Sequence, residues 1–212
     1  MEQHVHHDMH HDMGTNAMAL SATLHCLTGC AIGEILGLMI GTALALGNLA
    51  TIAIAVGLAF LFGYALSTLP LLRAGLGVGA ALTVVLAADT LSIATMELVD
   101  NLVMALIPGA MDAGLVNPVF WLSMMLALTA AFLAAWPVNR YLLARGKGHA
   151  LTHGYMGAEP VGARRYIPAL TTSALIAAIA AFMLGGLVVS IADELGASPA
   201  TGHALASVRT AS

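Results

Sequence analysis

The chain has 212 residues, of which 59% are hydrophobic and 8% are charged, with a mean hydropathy of +0.91 and a formal net charge of −4. Soluble domains carry about a quarter of their residues as charged side chains, so this composition excludes a soluble globular protein. It also excludes a nucleic-acid-binding protein, because only seven residues are Lys or Arg.

Long apolar stretches, each sufficient for one helical crossing of about 20 residues, occur five times along the chain. Short alternating segments, which would indicate a transmembrane β-barrel, are missing from the sequence. We therefore predict an all-α polytopic membrane bundle whose transmembrane domain covers residues 18–192, with spans at about 18–46, 49–72, 77–108, 118–143 and 167–192. Residues 1–17 and 193–212 are predicted to be disordered tails. No cleavage pattern follows the first apolar run, which we expect to stay as a helix.

The N-terminal tail, MEQHVHHDMHHDM, mixes imidazole, carboxylate and thioether groups. Histidine-rich tracts bind metals, and Met beside His suits copper in its two oxidation states. The alternatives are an expression tag, although tags are usually unbroken histidine runs, and a solvated tail with adventitious metal affinity. We predict that the tail collects metal through His4, His6, His7, His10 and His11.

Span one carries two neighbouring rows of residues at steps of four. The first row, called the glycine seam below, allows close approach of another helix and suggests a homodimer; it comprises Gly29, Gly33, Gly37 and Gly41. The second row is Cys26, Cys30 and Glu34. Thiolates at this spacing share one helix face and bind soft or borderline metals, although buried cysteine is commonly just a small apolar residue. We predict a metal site at Cys26, Cys30 and Glu34, with His25, turned about 100° from Cys26, as a further ligand.

Span three carries a row of acidic residues that Lys and Arg do not neutralise at comparable depth. An ionised carboxylate at mid-membrane costs roughly 2.5 to 3.5 kcal/mol, so these acids must be protonated, hydrated or bound to a cation. We predict an inward-facing cation or proton path of Asp89, Glu97, Asp100, Asn101, Met104 and, in the following loop, Asp112. The alternative is a static network with Ser92, Thr90 and neighbouring helices. If spans one and three begin at the same membrane face, Glu34 lies opposite Asp89.

Basic residues set the expected orientation. Six of the seven lie in the turn after span two or in the connection between spans four and five. The positive-inside rule makes both connections cytoplasmic and puts the N-terminus in the cytoplasm, with Arg209 as an exception. The second connection, RGKGHALTHGYMG, then shares a compartment with the tail, and we predict that His149 and His153 also collect metal.

Three stretches of this sequence, TLHCLTGCAIGEILG, ADTLSIATMELVDNLVMALIPGAMDAGL and AAWPVNRYLLARGKGHA, resemble a bacterial family of small membrane proteins, domain of unknown function 4396. The resemblance covers about residues 23–153. It implies a helical inner-membrane domain and no established activity. The positions that it implies to be shared are His25, Cys26, Gly29, Cys30, Glu34, Asp89, Glu97, Asp100, Asn101 and Asp112.

Together these patterns predict a multi-pass protein of a bacterial inner membrane that binds a transition metal, with copper favoured over zinc or iron, and moves it across the bilayer. Protonated acids that exchange their protons for the metal would explain why the acids need no basic partners. A cytoplasmic metal donor or acceptor is the expected partner.

Two other classes of function stay open at this point. One is a non-transporting assembly or sensory subunit with a structural metal, and the other is a membrane thiol or redox protein. Helical packing does not favour a disulfide between Cys26 and Cys30. An enzyme is less favoured, because the sequence has neither a phosphate-binding loop nor a serine nucleophile motif.

Overall fold

The computed structural model describes residues 2–145, 162–168 and 170–196, with side chains from residue 14 onward. Its five α-helices are α1 (Glu2–Ala43), α2 (Asn48–Ala74), α3 (Val78–Leu106), α4 (Pro118–Ala144) and α5 (Thr172–Gly196), with a 3-10 helix at Gly162–Tyr166. All five are long and apolar enough to cross a membrane, α1 from Gly14 onward, and the described ranges contain no strand. The predicted all-helical membrane bundle is confirmed.

Local turn chemistry explains where the helices begin and end. Gly75 follows α2 with φ 106°, and its N–H donates to the carbonyls of Leu71 and Leu72, which is a glycine C-cap. α4 begins with Pro118 after an Asn117 side chain that accepts a hydrogen bond of 2.9 Å from the N–H of Val119. Proline at the first helical position and asparagine before it both favour helix initiation.

The helix bounds depart from the predicted spans at two places. α1 begins at Glu2, so it includes residues predicted to be a disordered tail; extending an existing helix adds one hydrogen bond per residue. α5 begins at Thr172 rather than near Ile167, because Pro168 disfavours helical geometry in the residue before it. The hydroxyl of Thr171 then caps α5 by accepting from the N–H of Ala174 at 3.2 Å. Residues 197–212, which contain most of the predicted C-terminal tail, lie outside the described ranges.

Helix α1 is the centre of the bundle, since it packs against each of the other four helices. Its glycine seam faces α2. A Cβ atom added at Gly29 or Gly33 would overlap the backbone of Gly63 or Ala59, so these two helices touch at backbone distance. The seam is therefore used within the chain, and the homodimer that we expected it to form does not have this surface available.

The two ends of the bundle differ in charge. The end where α2 and α4 finish, called the arginine end below, carries Arg73, Arg140, Arg145, Arg164 and Arg165. Arg73 donates to the carbonyl of Ile167 at 3.0 Å, which ties the segment before α5 to the end of α2. The opposite end holds the α1–α2 turn and the α3–α4 loop and has no basic side chain among the residues that the structure describes.

Candidate cation site between α1 and α3

The second row of α1 faces the acidic row of α3 in the interior of the bundle. The side chains of Cys26 and Cys30 are 0% and 1% exposed, and that of Glu34 is 7% exposed. On α3, Asp89 is 0% exposed, and Glu97 and Asp100 are each 4% exposed. The expectation that the acidic stripe of span three faces inward is confirmed.

These six side chains form three pairs, which we call the α1–α3 pairs. The thiol of Cys26 lies within hydrogen-bonding reach of Asp89, and the thiol of Cys30 within reach of Glu97. The carboxyl of Glu34 meets that of Asp100. The pairs follow the same order along both helices, because α1 and α3 both run from the arginine end to the opposite end.

The pairing shows that one expected contact is wrong: Glu34 lies opposite Asp100, about three helical turns beyond Asp89. That expectation assumed that the first span begins near Met18. In the structure the packing of the helices sets the relative depth, and Cys26 lies at the depth of Asp89.

The carboxyl groups receive few donors from the protein. Apart from their neighbours within the pairs, the carboxylate oxygens of Glu34 and Glu97 and Oδ1 of Asp100 have no hydrogen-bond partner within the described part of the chain. Glu97 thus has only the weakly polar thiol of Cys30 beside it, and Glu34 has only another carboxyl group. Two buried carboxyl groups that face each other repel when both are ionised, so a proton or a cation must lie between them.

A cavity of about 340 Å³ leads to the pair of Glu34 and Asp100 from the end opposite the arginine end. Three further residues of the predicted path, Asn101, Met104 and Asp112, line it. At the surface, Asn48 Nδ2 donates to Asp112 Oδ1 at 3.0 Å and so joins the α1–α2 turn to the α3–α4 loop. The cavity and the α1–α3 pairs together form one polar region that extends inward from that end of the bundle.

Beyond Cys26, towards the arginine end, a second set of polar side chains continues this region. Ser67 and Ser92 lie beside the thiol of Cys26. Asn139 of α4 donates through Nδ2 to Ser92 Oγ and to Thr23 Oγ1, both at 2.9 Å. The sequence patterns did not single out Asn139 and Thr23. An asparagine within an apolar span is itself a signal of interhelical hydrogen bonding and could have identified the first of them.

The structure does not assemble the predicted metal ligands into one cluster. No group of three or more His, Cys, Asp or Glu side chains is placed to hold a metal ion within residues 14–145, 162–168 and 170–196. Glu34 turns to Asp100, and His25 donates from Nδ1 to the carbonyl of Ser21 at 2.8 Å, within its own helix. The predicted metal-collecting residues lie outside the described side chains; these are His4, His6, His7, His10, His11, His149 and His153.

Comparison with known proteins identifies a family and no closer relative. The model of the family described as a domain of unknown function, DUF4396, matches residues 15–148, which include α1 from its membrane-compatible part through α4 and all three α1–α3 pairs. No match was found among curated proteins or among solved structures. Because the match covers more than half of the sequence, the chain belongs to the DUF4396 family.

Proposed function

We propose that this protein binds a transition-metal cation, with copper favoured over zinc and iron, at its two thiols and passes it across the membrane along the α1–α3 pairs. The observation that supports the proposal is the position of the thiols. Cys26 and Cys30 are buried and not joined in a disulfide, one helical turn apart on one face of α1, and each has a carboxyl group as its neighbour.

The thiols limit which oxidation state suits the site. Thiolate is a soft ligand and selects Cu(I) over harder cations. Cu(I) is also stable with two thiolate ligands, whereas Zn²⁺ in structural sites requires four ligands. Since the described residues hold no group of three or more metal-binding side chains, two-coordinate Cu(I) fits this part of the chain better than zinc does.

The carboxyl groups supply the rest of the proposed route. Asp89 and Glu97 compensate positive charge beside the thiols, and Glu34 and Asp100 continue the negative groups to the cavity. If the positive-inside rule holds, the arginine end is cytoplasmic and the cavity opens on the outer side of a bacterial inner membrane. A cytoplasmic metal donor or acceptor would then exchange metal at the arginine end, close to the histidine-rich N-terminus.

Anaerobic titration of the detergent-purified full chain with Cu(I), against a competing chelator, tests the binding step. The unmodified protein is expected to bind Cu(I) stoichiometrically. Cys26→Ser and Cys30→Ser are each expected to lower the affinity by at least about tenfold, since even the loss of residues behind the ligands costs that much. Met39→Leu, which alters an exposed sulfur-containing side chain of the same helix, is the matched control and should not change the affinity.

Absence of stoichiometric Cu(I) in the unmodified protein contradicts the proposal. Equal loss of affinity in the Met39 control contradicts it as well, because the thiols would then have no special role. Uptake of Cu(I) into vesicles tests movement: Asp89→Asn and Glu97→Gln are expected to slow uptake, with exposed Asp193→Asn on α5 as control. If binding survives and uptake is unaffected by these changes, the protein holds its metal without transporting it, and the assembly or sensory function is favoured.

A further inference from the structure

The floor of the cavity holds two carboxyl groups that face each other, and no basic side chain lies at this end of the bundle among the described residues. Glu34 and Asp100 are 7% and 4% exposed, and both line the cavity. Apart from each other, Glu34 at both oxygens and Asp100 at Oδ1 have no hydrogen-bond partner among the described residues. A buried carboxylate normally receives several donors, and a cation held between these two carboxyl groups would take the place of the missing donors. The oxygens are covered in this structure, so an ion from the cavity reaches them by displacing the side chains that cover them.

The cavity is large enough for such a ligand to arrive with water. Its volume of about 340 Å³ corresponds to roughly ten water molecules at about 30 Å³ each. The polar side chains of its lining carry oxygen, in carboxyl, amide and hydroxyl groups. The lining also contains the thioethers of Met104, Met111 and Met124, and neither Cys nor His. The two carboxyl groups offer only oxygen, and carboxylate oxygen favours hard cations over copper.

Charge and ligand number narrow the class of cation further. A divalent cation balances two ionised carboxylates, whereas a monovalent cation would leave a net negative charge buried in the bundle. Ca²⁺ takes six to eight oxygen ligands at flexible distances, while Mg²⁺ keeps several waters and binds through one or two carboxylates. Two carboxyl groups at the floor of a cavity with room for several water molecules match the binding pattern of Mg²⁺.

We propose that Glu34 and Asp100 form a binding site for a hydrated divalent cation of the magnesium and manganese class, reached through the cavity. The amide of Asn101 lies at the same level and donates from Nδ2 to the carbonyl of Glu97 at 2.9 Å, which leaves its Oδ1 for a coordinated water. This site uses neither thiol, so it does not depend on copper binding at Cys26 and Cys30.

Manganese is a direct probe of this site, because the electron paramagnetic resonance signal of free aqueous Mn²⁺ disappears when the ion binds to a protein. Titration of the detergent-purified full chain carrying Cys26→Ser and Cys30→Ser is expected to show one Mn²⁺ site that Mg²⁺ displaces. Use of the thiol-free chain keeps the result separate from the copper proposal. If the protein does not bind copper but still binds Mn²⁺, the copper proposal fails and this one stands. If it binds copper but not Mn²⁺, the proposed site at Glu34 and Asp100 is wrong.

Near-isosteric substitutions locate the bound ion. Glu34→Gln and Asp100→Asn are each expected to weaken Mn²⁺ binding by about tenfold or more, while Asp193→Asn, an exposed acid on α5, should leave it unchanged. If Glu34→Gln does not give folded protein, Glu34→Asp keeps the charge, shortens the side chain by one methylene and is expected to weaken binding to a smaller extent. The proposal is overturned if Glu34→Gln and Asp100→Asn bind Mn²⁺ with the same affinity as the chain that lacks these substitutions.

The ligands of the bound Mn²⁺ can also be identified directly, without a substitution at Glu34 or Asp100. Pulsed paramagnetic resonance in deuterated water is expected to detect several exchangeable water ligands on the bound Mn²⁺ and no coupling to imidazole nitrogen. A clear nitrogen coupling would place the ion on the histidine-rich N-terminus and overturn the assignment to Glu34 and Asp100.

Discussion

At the scale of single residues, Asn139 connects three helices through one amide group. Its Nδ2 donates to Thr23 of α1 and to Ser92 of α3, and all three side chains are buried. Hydrogen bonds between transmembrane helices contribute about 0.6 kcal/mol on average and up to about 1.7 kcal/mol. Asn139 therefore stabilises the packing of α1, α3 and α4 just beyond the thiol of Cys26.

The stability of Asn139 variants measures this connection. Asn139→Ala is expected to lower the free energy of unfolding by about 1 to 3 kcal/mol, because it leaves a void as well as two hydroxyls without their donor. Thr23→Val removes only one of the two bonds and should cost less. If the two residues interact, the double variant costs less than the sum of the single variants, measured by reversible unfolding in detergent. Strict additivity would contradict a direct interaction.

At the scale of helices, the contact between α1 and α2 depends on residues that have no side chain. A Cβ atom added at Gly33 would overlap the backbone of Ala59, which cannot move aside as a flexible side chain can. The closeness of the two helices therefore sets the position of α1, and with it the position of the row Cys26, Cys30 and Glu34 against α3.

A matched pair of glycine substitutions tests the α1–α2 contact. Gly33→Ala is expected to destabilise the bundle by about 1 to 3 kcal/mol through overpacking, even though alanine is the better helix former. Gly57→Ala on α2, where an added Cβ meets no atom within 4 Å, should leave stability unchanged or raise it slightly. Equal stability of the two variants would mean that the helices can separate at no cost.

Helical periodicity was sufficient to predict which faces of α1 and α3 point inward, because a step of three or four residues fixes a face regardless of where the helix starts. The depth of one helix relative to another does depend on where each one starts. For that reason the sequence predicted Glu34 opposite Asp89, whereas Glu34 meets Asp100. The glycine seam was recognisable as a contact surface, but periodicity carries no information about which helix covers it.

At the scale of the whole molecule, the basic residues and the cavity lie at opposite ends. All described arginines lie at the arginine end, whereas the cavity opens beside Asn48 and Asp112. The composition and span lengths predicted five crossings, and the structure agrees. The cavity could not be predicted, because it results from the way four segments distant in the sequence pack together.

Labelling of single introduced cysteines tests the orientation expected from the positive-inside rule. Gly114→Cys lies at the cavity end and Gly77→Cys at the arginine end, and at both positions an added Cβ meets no atom within 4 Å. In intact cells, a membrane-impermeant maleimide is expected to label Gly114→Cys only, and Gly77→Cys should react after permeabilisation. The buried native thiols serve as the unlabelled background. The reverse labelling pattern would place the arginine end outside.

The central position of α1 has a consequence for how the protein is made. α1 precedes α3 in the chain, yet the groups that face Cys26, Cys30 and Glu34 are supplied by α3. During synthesis α1 can pair with α2 through the glycine seam, but Glu34 has no partner until α3 has entered the bilayer. An exposed ionised carboxylate at that depth costs roughly 2.5 to 3.5 kcal/mol, so the insertion machinery must shelter or neutralise α1 in the interval. The same acid that makes the finished cavity polar therefore raises the free-energy cost of inserting the first helix.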